Sequence, residues 1–75
     1  MMSNQKLVDA RQMRCPMPLL KLKQALNGIE VGDSVHLIAT DPTSKLDVAR
    51  YIEMTNHQIK TEQFDDEFHF YITKS

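Results

Sequence analysis

The stretch Arg14-Cys15-Pro16-Met17-Pro18-Leu19-Leu20-Lys21-Leu22-Lys23-Gln24-Ala25-Leu26-Asn27-Gly28 decides how this chain is read. Pro16 and Pro18 hold φ near the helical value and lack N–H groups, which costs nothing in a first turn where those donors have no intrahelical partner. They mark a helix start. Leu19, Leu22 and Leu26 then recur at three and four residues with Ala25 beside them, while Lys21, Lys23 and Gln24 fall outward and Asn27-Gly28 supplies the stop. The segment is an amphipathic core helix, and the chain's only cysteine stands at its mouth.

Upstream, residues 6–10 read as a short first strand. Downstream, Val31-Gly32-Asp33 turns the chain, and Val35, Leu37 and Ala39 alternate with Ser34, His36 and Ile38 in a second strand. Asp41-Pro42-Thr43-Ser44 opens a second helix with Thr43 or Ser44 as its cap. Its predicted buried stripe is Leu46, Ala49 and Ile52 with Val48 beside them, and a left-handed Asn56 before His57 ends it. Gln58 to Phe64 reads as a strand, Asp65-Asp66 as a turn, and Phe68, Phe70 and Ile72 as alternate residues of a last strand. The predicted order is β-α-β-α-β-β. This is an α/β (α+β) two-layer sandwich, with both helices on one face of a four-stranded mixed sheet and residues 1–75 forming a single domain.

Seventy-five residues cannot enclose a large cavity, so chemistry is expected at the surface. Hydrophobic residues at 41% and charged residues at 25% describe an ordinary globular chain. The opening residues have no apolar leader core and no run is long enough to cross a bilayer, which points to the cytoplasm and away from membranes. Residues 1–25 carry Lys6, Arg11, Arg14, Lys21 and Lys23 against Asp9, a balance of +4 that leaves −5 for the remainder. A basic region around the cysteine suits an acidic protein partner, and the acidic remainder argues against direct nucleic-acid binding.

One cysteine excludes an internal disulfide, dithiol chemistry and four-cysteine zinc sites, and the scattered histidines offer no metal-ligand spacing. His36 lies mid-strand, His57 in a helix-ending turn and His69 on the polar side of the last strand. None has a context that ties it to Cys15 as a base. With Cys15 as N-cap, the helix dipole, the free Met17 N–H, Arg14 and Arg11 all favour thiolate, so a lowered pKa is expected. An exposed acidic thiol on a small rigid domain can accept a group from one protein and surrender it to another, and sulfane sulfur is its natural cargo. Pro16 and Pro18 then frame the sulfur, Arg14 supports its charge, and Lys21 and Lys23 are candidates for partner contact.

Three segments carry a specific likeness: Leu7-Val8-Asp9-Ala10-Arg11, Met13-Arg14-Cys15-Pro16-Met17-Pro18 and Leu19-Leu20-Lys21-Leu22. Together with Gly32-Asp33, Ala39-Thr40-Asp41-Pro42, Asp47 and the aromatic last strand, they resemble the TusA/SirA-like family of sulfur carriers with its CPxP motif. The resemblance implies a persulfide carried transiently on Cys15, with no other cofactor and no metal, and it makes Asp41 a further candidate for partner contact. It also implies a cysteine desulfurase as donor and a downstream acceptor protein, typically towards tRNA thiolation; other members serve molybdenum-cofactor maturation, sulfur oxidation or selenium metabolism. Such a chain is a sulfur-transfer carrier rather than a self-standing enzyme. Gln12 departs from the family's usual glycine, and Asn56 from a frequent one. The alternatives are a non-catalytic RNA- or protein-binding regulatory module, against which Glu62, Asp65, Asp66 and Glu67 count, and a thiol redox sensor.

Overall fold

A computed structural model describes residues 5–75; residues 1–4, on which the expectation about a leader segment falls, lie outside them. Six elements follow in the predicted order: β1 (Gln5–Ala10), α1 (Met17–Asn27), β2 (Ser34–Ala39), α2 (Pro42–Glu53), β3 (Gln58–Phe64) and β4 (Glu67–Thr73). The strands form one mixed sheet in the order β1-β2-β4-β3. β1 runs parallel to β2, and β4 runs antiparallel to both β2 and β3.

Alternation along the strands divides the sheet into two faces. Val35, Leu37 and Ala39 of β2 pair with Ile72, Phe70 and Phe68 of β4, and all six are buried together with Ala10 at the end of β1. Leu22, Ala25 and Leu26 of α1 and Val48 and Ile52 of α2 close over that face, with Leu19 and Tyr51 packed at its margin. The opposite face carries Leu7, His36, His69, Tyr71 and Phe64, and among the described residues no helix lies over it. Among the described residues, no helix is long and apolar enough to cross a membrane.

The stripe of α2 differs from the predicted one. Ser44, Val48 and Ile52 are buried and Tyr51 is half-buried, whereas Leu46 is 62% exposed and Ala49 is exposed. At about 100° per residue Leu46 and Val48 point about 200° apart, so the helix must choose one of them. Val48 shares its row with Ser44 and Ile52, and the polarity of Ser44 hid that row. The helix also begins earlier: Asp41 is the N-cap, its carboxylate accepting the Thr43 N–H at 3.0 Å, so neither Thr43 nor Ser44 takes that role. Its end, at Met54, is right-handed, and Asn56 is not among the residues of positive φ.

Candidate functional site

Because β1 and β2 are parallel neighbours, the loops leaving their C-terminal ends emerge side by side. One is the loop of residues 11–16 with the cysteine; the other is Thr40-Asp41, which opens α2. Hydrogen bonds join them. Gln12 donates its N–H to Thr40 Oγ1 at 2.8 Å, and Cys15 donates its N–H to Asp41 Oδ2 at 2.7 Å. Asp41 thus caps α2 with one oxygen and holds the cysteine loop with the other. Asp41 therefore has an architectural part in the site.

The loop is rigid on both sides of the thiol. Met13 donates its N–H to the Ala10 carbonyl at 3.2 Å, and Met17 donates its N–H to the Arg14 carbonyl at 2.8 Å, closing a turn across Cys15-Pro16. The peptide between those two residues is cis. Pro18 is buried against the core and anchors the motif, while Pro16 and Met17 stay exposed beside a half-buried Cys15.

The electrostatic setting of Cys15 reverses the expected one. The N-cap of α1 is Pro16, so Cys15 lies one position outside the helix, and the Met17 N–H is already used by Arg14. Arg11 is clamped by the Asp9 carboxylate at 2.9 Å and faces Glu67 at 3.6 Å; this pairing holds the Asp9 pKa down at about 2. The charge of Arg14 falls on Asp41 instead. That carboxyl is held below the usual carboxylate range by the Cys15 and Thr43 N–H groups first and by Arg14 to a lesser degree. What meets the sulfur is Asp47, on α2, which accepts a hydrogen bond from the Cys15 thiol. That bond, partial burial and the negative charges of Asp47 and Asp41 push the thiol pKa up rather than down. In the sequence Asp47 is marked only by its match to the family's layout. Its partner is 32 residues away, and only the parallel β1–β2 pairing signals their meeting.

The two candidate lysines separate. Two residues apart on α1, they project to opposite flanks. Lys21 lines a hollow with Lys6, Leu7, Met13 and Gln24 beside β1. Lys23 lies on the side of Asp47, its Nζ 5.1 Å from the centre of the Tyr51 ring. There it rims a groove of about 360 Å³ with Leu19, Tyr51 and Met54 as apolar lining, Arg50 as a second cation and Asp47 at the cysteine end.

The histidines form no site with the thiol. On the open face of the sheet, His36 Nε2 lies 2.8 Å from His69 Nδ1, and His69 Nε2 lies 3.1 Å from Glu67 Oε1. His57 Nδ1 accepts the Ser75 N–H at 3.1 Å. No group of three or more His, Cys, Asp or Glu side chains is gathered for a metal among the described residues.

The family model described as "Sulfurtransferase TusA" matches residues 6–74. The sulfur carrier protein TusA of Allochromatium vinosum is 36% identical over 69 residues, 91% of each chain. That of Pseudomonas putida is 29% identical over 59 residues, 79% of this chain and 74% of the other. In solved structures the fold matches the SirA-like protein of Desulfitobacterium hafniense with a TM-score of 0.81 at 23% identity, covering 89% of this chain and 93% of that one. With the motif loop, the topology and this full-length match in agreement, the chain belongs to the TusA/SirA-like family.

Proposed function

We propose that this protein is a sulfur carrier that holds sulfane sulfur as a persulfide on Cys15, receiving it from a cysteine desulfurase and passing it to an acceptor protein in a thiolation relay. The observation that carries this reading is the placement of the chain's sole thiol. It is half-buried, fixed through its own N–H by Asp41, and set beside the exposed Pro16-Met17 edge where another protein's cysteine can approach. The family match supports sulfur as the cargo, and the relatives bear the name of sulfur carriers. A cytoplasmic setting, where thiols stay reduced, fits a single free cysteine.

Loading balances without an outside oxidant. Sγ of Cys15 attacks the terminal sulfur of the donor's persulfide, the donor S–S bond breaks, and the donor cysteine leaves as thiolate. In delivery the acceptor's thiolate attacks the terminal sulfur on Cys15, and the bonding electrons return to Sγ. The acidic Asp9, Glu62 and Glu67 on the open sheet face count against an RNA platform.

The test is intact mass after incubation with a cysteine desulfurase and cysteine. One added sulfur is expected, removable by reductant and absent from Cys15→Ser. Added oxygen without sulfur would overturn the carrier in favour of the sensor.

A further inference from the structure

We propose that Asp47 is a catalytic proton-transfer residue of this carrier, taking the proton from Cys15 Sγ as sulfur arrives and returning it as sulfur leaves; this rests on the carrier reading. The geometry isolates Asp47 in that role. Asp41, the other carboxylate nearby, is committed to the Cys15 and Thr43 N–H groups. The Asp47 carboxylate accepts from the thiol itself and, among the described residues, makes no other hydrogen bond or ion pair. It sits on a helix packed into the core through its neighbour Val48, so its position does not depend on a mobile loop.

Among the described residues, no positive group takes over the charge of a thiolate here. Arg11 is clamped by Asp9, Arg14 acts on Asp41, and the first free N–H of α1 is spent on a turn. The Asp47 carboxylate on the sulfur, and to a lesser degree the charge of Asp41, push its ionisation up, so free thiolate is scarce at neutral pH. The proton must therefore move together with the sulfur. In loading, Cys15 Sγ–H and the Asp47 carboxylate meet a donor persulfide. The Sγ–sulfur bond forms, the donor S–S bond breaks, the proton passes to Asp47, and the donor departs as thiolate, which then takes up that proton. In delivery the acceptor thiolate takes the terminal sulfur, and a proton entering through Asp47 neutralises Sγ as the S–S bond opens.

The experiment compares the parent chain with Asp47→Asn and Asp47→Glu in two assays: alkylation by iodoacetamide at pH 7, and sulfur gain from glutathione persulfide followed by mass. A small persulfide makes no use of a docking surface, so partner contact is removed from the comparison. Asp47→Asn is expected to alkylate several-fold faster, because the contact that holds the thiol protonated is gone. It should nevertheless gain sulfur about ten- to a hundredfold more slowly, because the departing glutathione thiolate, unlike iodide, needs the proton that Asp47 hands on. Asp47→Glu keeps a carboxylate and is expected to load within about tenfold of the parent. Opposite movement of the two rates is the signature that a merely structural or electrostatic role would not give.

Sulfur gain by Asp47→Asn equal to or faster than the parent overturns the proposal, as does unchanged alkylation. A slow Asp47→Glu whose thiol is protected like the parent's overturns it too. If the parent gains no sulfur, the carrier reading itself falls and takes this one with it.

Discussion

Gln12 holds φ at +65° while donating its N–H to Thr40 Oγ1 at 2.8 Å, so the turn that delivers Cys15 to Asp41 passes through a backbone region natural to glycine. A side chain there costs roughly 1–2 kcal/mol relative to the right-handed regions, and the hydrogen bond to the end of β2 holds it in place. The family's usual glycine would relieve it.

Gln12→Gly is therefore expected to stabilise the protein by about 1 kcal/mol, after allowing for the extra freedom glycine gives the unfolded chain. For a domain of this size that raises the melting temperature by about 4–8 °C. Thermal unfolding followed by circular dichroism reads it directly, and a lower melting temperature would show that the Gln12 side chain contributes more than its backbone costs.

Lys74 contributes a cap that lies far from it in the chain. Its Nζ donates to the carbonyls of Leu26 and Ile29, both at 2.8 Å, satisfying the C-terminal end of α1 and the turn that follows it. Its backbone completes the same corner, with Gly32 N–H on the Lys74 carbonyl and Lys74 N–H on that of Asp33. Lys74→Met keeps the aliphatic stem and removes both donors, and should cost about 2 kcal/mol in chemical denaturation. A loss below a few tenths of that would show the ammonium to be replaceable by water.

What was legible from the sequence was whatever rests on local periodicity. Val35, Leu37 and Ala39 announced the inward face of β2 by alternation, and Leu22 and Leu26 announced that of α1, because each pattern is written within a few residues. The prolines likewise located the cysteine at a loop–helix junction. Three things depended on distant partners and were hidden: the Asp47 carboxylate on Cys15, the capture of Arg11 by Asp9 and Glu67, and the Lys74 cap. The expectation of an acidic thiol failed for that reason. Helix dipole and arginine charge were counted, but the carboxylates of the parallel neighbour's loop were not. The Asp41 cap was readable, since Asp before Pro at a helix start is a common N-terminal pairing, yet the hydroxyls after it drew the assignment.

The open sheet face contains the protein's acid-sensitive element. Glu67 as a carboxylate can only accept, so His69 presents Nε2–H to it; neutral His69 then receives the His36 Nε2–H at Nδ1. The His36 ring stacks on Tyr71 with centroids 4.4 Å apart. Burial first and the charge of His69 second lower the His36 pKa below the ordinary 6.5, with Glu62 opposing. The unfolded chain therefore binds more protons than the folded one just below that value. The stabilising contribution of neutral His36 is complete above 6.5 and is lost as pH falls through the lowered value. The melting temperature should drop by about a few degrees between pH 7 and pH 5, and His36→Phe, which keeps a ring on Tyr71, should flatten that slope. A slope unchanged by His36→Phe would assign the acid sensitivity to other groups.

Lys21 and Lys23 offer a test of which flank of α1 receives the donor. Only Lys23 shares the groove with Asp47, where it stands with Arg50 over Leu19, Tyr51 and the 85% exposed Met54. Lys21 points to the β1 side. If the donor protein approaches Cys15 along the Asp47 side, Lys23→Glu should slow sulfur transfer from a cysteine desulfurase by about tenfold at low salt, through the association rate. The deficit should shrink as salt screens the encounter. Lys21→Glu should change the rate by less than about threefold under the same conditions. Loading from glutathione persulfide should be unchanged in both, because neither lysine touches the sulfur. The larger effect at Lys21 would place the donor on the opposite flank, over β1 and Met13. Equal effects at both would mean that the basic charge of α1 acts as a general field rather than through a docking groove.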